Sequence, residues 1–418
     1  MADSIQTYRL SNGLTLLMQQ MPWLESAALS ILVPAGSQRD PIGLPGLASF
    51  TAEMVQRGCG PFNSREYLDQ LDRLGAARSA SVTNSHTRFS AAIPANRIND
   101  TLTLYRELIQ TPHLPEKQLE DSRLVAMQEL LAMEDDLAQK LLRELRKRLY
   151  PDPYGRSTTG TLESVQAISH QDITSHVTNF YVPENAIISV AGKIEFDNVI
   201  RTVEQLFGSW QGRIQTEISE TPPLEGHHHI QHDSSQTQIG IVYPSVAYCH
   251  PDYFLARSAV GVLSDGMSSR LFTEVREKRG LCYTVYAMCH TIKEHGCVLA
   301  YAGTTTERAQ ETLDVMLAEI KRLADGVFDD ELQRLKARIK TGLIMQQESS
   351  SSRSISMASD WHLLGRVRSL TELSELLDQV NTKAINEYLK ANPPQQFKVV
   401  TLGQQALDTS GVERGSHE

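Results

Sequence analysis

Apolar and polar positions follow one another along this chain in a pattern that occurs twice. "NDTLTLYRELIQTPHLPEKQLEDSRLVAMQEL", from Asn99, and "AQETLDVMLAEIKRLADGVFDDELQRLKARIKTGL", from Ala309, each predict an amphipathic helix, a short break with an acidic start, and a second amphipathic helix. Leu104, Leu108, Leu119 and Leu124 supply the apolar positions of the first copy, and Val315, Ile320, Leu332 and Leu335 those of the second. "AISHQDITSHVTNFYVPENAIISVAG", ending at Gly192, pairs in the same way with "QVNTKAINEYLKANPPQQFKVVTLG", ending at Gly403. Each is a helix, a Pro-containing turn and a β-branched run that predicts a buried strand. The openings match as well, "SAALSILVPAGSQRD" with "TQIGIVYPSVAYCHPD". The offset is about 210 residues throughout, far longer than the repeat of a solenoid.

A duplicated α+β protein follows, with two homologous α/β-sandwich domains at 1–210 and 227–418. The segment 211–226, "QGRIQTEISETPPLEG", is polar, lacks helical periodicity and carries a Pro-Pro pair, so it reads as the linker. Two related domains joined in this way can enclose a chamber. The run "ESSSSRSIS" near Ser350 falls, by the repeat, between helices of the second half.

Composition narrows the function classes. Forty per cent apolar and 22% charged residues are those of a folded globular protein. A formal charge of −10 argues against nucleic acid as the main partner, because phosphate binding needs a basic surface. Apolar runs such as "LSILVPAG" are much shorter than the roughly 18 residues that a spanning helix needs, and no membrane is expected. "MADSIQTYRL" lacks the basic start and apolar core of a signal peptide, so the cytoplasm is the expected location. Cys59, Cys249, Cys282, Cys289 and Cys297 contain no C-x-x-C pair and read as free thiols. The histidines of "EGHHHIQH" read as a linker end, and His86, His170 and His176 as solvated or capping side chains.

The segment "LSDGMSSRLFTEVREKRGLCYTVYA", Leu263 to Ala287, carries the most chemistry. "DGM" predicts a turn, and "SSRLFTEVREKRG" an amphipathic helix with Leu271 and Val275 on one face, closed by Gly280. "LCYTVYA" then alternates as a strand. The helix end and the strand start bring Arg276 and Tyr283 within reach of each other. A guanidinium and a phenol together offer donors for a peptide carbonyl or a developing oxyanion. The competing arrangement pairs Arg276 with Glu274 or Glu277 on the helix surface.

This segment closely resembles the C-terminal half of the pitrilysin/insulinase-like zinc metallopeptidases, in particular the mitochondrial-processing-peptidase-like branch. The resemblance runs from about Tyr8 to about Gly403 and includes the two-copy layout. It implies a LuxS/processing-peptidase-like fold, and it makes Arg276 and Tyr283 the pair that helps hold a peptide near the scissile bond. The family's zinc site is the inverted motif H-x-x-E-H with a further glutamate downstream. "GLASFTAEM" aligns with that motif: Ser49 and Glu53 stand at its histidine positions, Ala52 at its general base, and Glu129 of "AMQELL" at the downstream ligand. Leu47, Phe50 and Met54 keep the core face of the helix. Zinc needs three or four good ligands, serine is a poor one, and Ala52 cannot move a proton, so no metal is expected in this chain.

The resemblance implies a division of labour between two chains, one with the zinc motif and one with the arginine–tyrosine pair. The leading expectation is therefore a non-catalytic subunit of a heterodimeric zinc endopeptidase. Its partners would be a homologous zinc-bearing subunit and a peptide substrate. No glycine-rich insertion is seen around "LSDGMSSRLF", which favours a bacterial relative over presequence processing. The rival expectations are a structural core-type subunit and a homodimeric peptide-binding module; a homodimer of the isolated chain stays open.

Overall fold

The computed structural model describes residues 5–214, 217–346 and 348–413. Among the described residues, besides a two-stranded pair of Gly58–Cys59 with Phe62–Asn63, the strands form two large sheets that share one order, the first with one extra edge strand. The first runs Ile5–Arg9, Thr15–Gln20, Ile187–Gly192, Ser26–Val33, Thr87–Pro94, Ala77–Val82. The second, taken in the same direction, runs His228–Gln231, Lys398–Gly403, Gln236–Ser245, His295–Thr305, Cys282–Ile292. Each has a single parallel pair at the matching place, Thr15–Gln20 with Ile187–Gly192 and His228–Gln231 with Lys398–Gly403. The two sheets are thus copies of one topology, and the expected two-domain α/β architecture is what the chain adopts. Residues 228–231, expected to be a linker end, form an edge strand, with His229 Nδ1 2.8 Å from Thr401 Oγ1. No helix among the described residues is long and apolar enough to cross a membrane.

Two compact units enclose these sheets, and the chain crosses between them. One comprises Met1–Leu131, Arg156–Ser219 and Leu343–Thr371; the other comprises Ala132–Gly155, Glu220–Gly342 and Glu372–Glu418. This corrects the continuous division at 1–210, 211–226 and 227–418. Each repeat sends one helix to the other repeat's sheet. Helix Leu137–Leu149, from the first repeat, lays Leu141 and Leu145 on Val242, Leu299, Tyr301, Val400 and Leu402 of the second sheet. Gly240 permits the approach: a Cβ there would stand 2.8 Å from Leu141 Cδ2 and 3.0 Å from Leu145 Cδ2.

Helix Ser350–Leu364, from the second repeat, lies on the first sheet. Met357 and Ala358 pack with Leu17, Met21, Leu32, Ile187 and Ala191. "SSSSRSIS" is therefore the start of this helix, capped by Ser349, and is not a connection within the second half. Polar contacts fix its seat. The buried Arg353 donates to Gln19 Oε1 of the sheet and, at 3.0 Å, to the carbonyl of Arg368. Arg368 in turn grips Asp360 through Nε and Nη2 at 3.2 and 2.8 Å. Such a buried ionic cluster is worth little as net stability but disfavours any slipped position, which would leave charges unpaired.

The opposite face of the second sheet carries the larger core. Val260 and Leu263 of helix Tyr253–Ser264 and Leu313, Met316 and Ile320 of helix Ala309–Lys321 meet Ile239, Ile241, Val298 and Ala300 there. The expected helix pair is only partly amphipathic in the first repeat. In Leu119–Asp135, Ser122 and Leu130 are the buried residues, whereas Leu124, assigned to the apolar face, is 61% exposed.

Candidate functional site

In the first unit, helix Leu47–Val55 carries the degenerate motif. Leu47, Phe50 and Met54 are buried as the 3.6-residue spacing requires. Gly46 precedes the helix at φ +93°, a conformation that favours glycine. Asp40, from six residues back, caps the helix: its carboxyl oxygens accept from the Gly46 N–H at 2.7 Å and the Ala48 N–H at 2.8 Å. Burial pushes this carboxyl up to about 7, against the pull of those two N–H groups and of Arg156.

Two of the zinc-motif positions, Ser49 and Glu53, are engaged elsewhere. Ser49 Oγ donates to the carbonyl of Thr158 at 2.6 Å, tying the helix to the loop before helix Leu162–Ala167. That loop is pressed close, since a Cβ on Gly160 would stand 2.1 Å from the Pro45 carbonyl oxygen. Ser164 Oγ also donates to that oxygen, at 2.7 Å. Ala52 is buried and brings no polar atom. Glu53 pairs with Arg57 one turn later at 3.1 Å, its side chain 46% exposed. Glu129 is exposed on its helix. No group of three or more His, Cys, Asp or Glu side chains that could hold a metal occurs among the described residues. A hydroxyl already donating to a carbonyl, a methyl group and a carboxylate held by arginine do not fit zinc.

In the second unit the structure brings Arg276 and Tyr283 together. The guanidinium carbon lies 4.9 Å from the centroid of the Tyr283 ring and 4.8 Å from that of Phe272. The expected α-helix here departs from the regular form. Phe272–Glu277 is a π-helical turn, with the Lys278 N–H donating to the Thr273 carbonyl at 2.9 Å. Such turns have one extra residue per hydrogen-bonded ring and concentrate at functional sites. Gly280, at φ +59°, ends it; its N–H donates to the Arg276 carbonyl, and the Leu281 N–H to that of Val275. Leu271 and Val275 face the core, as their spacing predicts.

Tyr283 owes its position to a second irregularity. Cys282 opposes Thr304 and Thr284 opposes Gly303, so Tyr283 is the extra residue of a bulge in the edge strand Cys282–Ile292. A bulge re-aims a side chain, and Tyr283 is 82% exposed. The competing acids are weak rivals for Arg276. Glu274 accepts from Lys278 at 2.6 Å and Arg279 at 2.7 Å, and those partners hold its carboxyl below the usual carboxylate range. Glu277 comes only to 4.0 Å of Arg276 Nε. Phe272, which the sequence reading passed over, stands four residues before Arg276; its aromatic type at that spacing was the available signal.

Two histidine assignments change. His86 and His176, expected to be solvated or capping, are buried, and burial pushes them down to about 3 and about 4. His86 meets the ring of His362 edge-on at 4.4 Å. His170 is half-buried and lies with Nε2 2.7 Å from the Leu114 carbonyl. All five cysteines are free, as expected.

Comparison with known proteins bears on both units. Residues 15–162 match the family model of insulinase (peptidase family M16), and residues 167–339 match that of the peptidase M16 inactive domain. An uncharacterized zinc protease of Rickettsia bellii is 24% identical over 94% of this chain and 95% of its own length. A crystal structure of a peptidase M16 inactive domain from Pseudomonas fluorescens superposes with a TM-score of 0.87 at 20% identity, covering 97% of this chain and 99% of that one. A protease from Helicobacter pylori gives 0.88, also at 20% identity, over 96% and 100%. At such identities the structural likeness speaks for the fold.

Proposed function

Because the chain belongs to the insulinase-type M16 peptidase family, we propose that it is the non-catalytic subunit of a heterodimeric zinc metalloendopeptidase. It acts in the cytoplasm beside a homologous chain that carries an intact H-x-x-E-H, and it binds extended peptide for that chain. The observation that carries this reading is the contrast between the units. Of the positions that would bind zinc, Ser49 and Glu53 are committed to structural contacts, while Arg276 lies against an exposed Tyr283 and, among the described residues, has no carboxylate closer than 4.0 Å.

Arg276 and Tyr283 hold the substrate. The guanidinium donates in its plane to a peptide carbonyl, and the phenol adds one more donor. Donors placed where charge develops stabilise the transition state more than the ground state, which raises turnover and not merely affinity. The activated water comes from the partner's metal.

The test is cleavage of β-casein by this chain alone, by a homologous chain with H-x-x-E-H alone, and by the mixture. Activity confined to the mixture and lost with chelator supports the proposal. Arg276→Ala and Tyr283→Phe then lower turnover of the mixture, by about 10²-fold or more where the lost donor faces the oxyanion, and leave co-elution of the two chains unchanged. Unchanged turnover in both variants removes the assigned role.

A further inference from the structure

We propose that Phe272 is a positioning residue for Arg276: its ring, together with that of Tyr283, holds the guanidinium so that its in-plane N–H donors are left for the oxygens of an extended peptide. The proposal rests on the functional reading above and adds to it a residue outside the Arg276–Tyr283 pair.

Four observations converge on it. The guanidinium carbon is as close to the Phe272 ring, at 4.8 Å, as to that of Tyr283, at 4.9 Å. A cation over an aromatic face is attracted by the ring quadrupole, and a planar cation with its faces on rings has only its edges free to donate. Next, Phe272 is only half-buried, whereas its neighbours Leu271 and Val275 belong to the buried core of the second unit. Third, the π-helical turn begins at Phe272 and includes Arg276, so the widened turn sets the two side chains one above the other. Last, the carboxylates that would otherwise fix Arg276 are occupied or distant, Glu274 by Lys278 and Arg279, and Glu277 at 4.0 Å. Without the rings the guanidinium would sample many rotamers, and ordering it on binding would cost affinity.

The experiment uses the full chain labelled with ¹⁵N and follows the Arg276 Nε–Hε resonance, assigned by its loss in Arg276→Lys. Phe272→Leu keeps bulk and removes the ring; Phe272→Tyr keeps the ring. In the same samples, binding of fluorescein-labelled β-casein is measured by anisotropy. Phe272→Leu is expected to move the Arg276 resonance out of the ring-current field and to weaken casein binding about two- to fivefold, the size set by an exposed cation–π contact. Phe272→Tyr is expected to restore both. An Arg276 resonance that does not move in Phe272→Leu overturns the proposal, as does binding lost equally in Phe272→Tyr. A resonance that moves with casein binding unchanged also overturns it, since the ring then serves no ligand. The wider functional reading falls separately, if Arg276→Ala itself leaves casein binding and partner-dependent cleavage unchanged.

Discussion

The crossing of helix Leu137–Leu149 onto the second sheet can be tested at one contact, Gly240 against Leu145. Leu145 is fully buried, so Leu145→Ala removes packing and leaves a cavity, at a cost of about 2–5 kcal/mol. Gly240→Ala does the reverse. Its new Cβ would stand 2.8 Å from Leu141 Cδ2 and 3.0 Å from Leu145 Cδ2, and both leucines are enclosed, so overpacking costs about 1–3 kcal/mol. In the double variant the added methyl enters space that the truncation vacates. The cost of the double variant should then fall short of the sum of the two single costs by about 0.5–3 kcal/mol, the range for residues in contact. Urea denaturation of the four proteins followed by circular dichroism reads the energies, and calorimetry reads them as about 2–4 °C per kcal/mol for a unit of this size. Additivity within about 0.3–0.5 kcal/mol would mean that the two residues do not touch, and the crossed helix would be refuted.

Three more outcomes follow from the structure. His86, His176 and His290 are held down to about 3, 4 and 4, while an unfolded histidine titrates near about 6.5. The unfolded chain therefore binds protons that the folded one refuses, and stability falls as pH drops below about 6.5, each group contributing up to about 1.4 kcal/mol per pH unit. Asp40, raised to about 7, has the opposite sign, losing stability as pH rises from about 4 towards 7; His176→Leu and Asp40→Asn, compared by urea denaturation from pH 4 to 8, should flatten the profile in opposite directions. Zinc titrated into the isolated chain by calorimetry should show no stoichiometric site, and one that vanishes in Glu53→Gln would contradict the assignment of Glu53 to Arg57. A fragment of residues 1–210 lacks helix Ser350–Leu364 and so uncovers Leu17, Met21, Leu32, Ile187 and Ala191. It should bind anilinonaphthalene sulfonate and unfold without cooperativity until the 211–418 fragment is added; cooperative melting of 1–210 alone would show that the crossing is dispensable.

The duplication was legible because both copies obey the same local rules. The apolar run at Ile187–Gly192 is buried at every position, as is nearly all of Lys398–Gly403, so period and β-branching suffice to place both as central strands. The Arg276–Tyr283 pair was legible for a related reason. A helix end, a glycine and a strand start leave few ways to separate two residues seven positions apart.

What escaped the sequence is set by distant neighbours. A 3.6-residue stripe at Leu141 and Leu145 says that a helix has an apolar face, but it carries no address, and two sheets of one topology present similar faces. The address comes from Gly240 on one sheet and from Gln19 on the other, which accepts from Arg353 of the crossing helix; each of these sheet residues is far in sequence from the helix it receives. The same holds at the site. Whether "FTEVRE" winds as an α- or a π-turn, and whether Tyr283 bulges from its strand, depends on the register that Cys282–Ile292 takes against His295–Thr305. Burial of His86 and His176 is likewise a matter of what packs over them, since an imidazole suits surface and core alike. Local spacing determined the elements, and the resemblance to a known zinc motif marked the positions without zinc ligands; tertiary packing alone decided which sheet each crossing helix covers and which rings Arg276 meets.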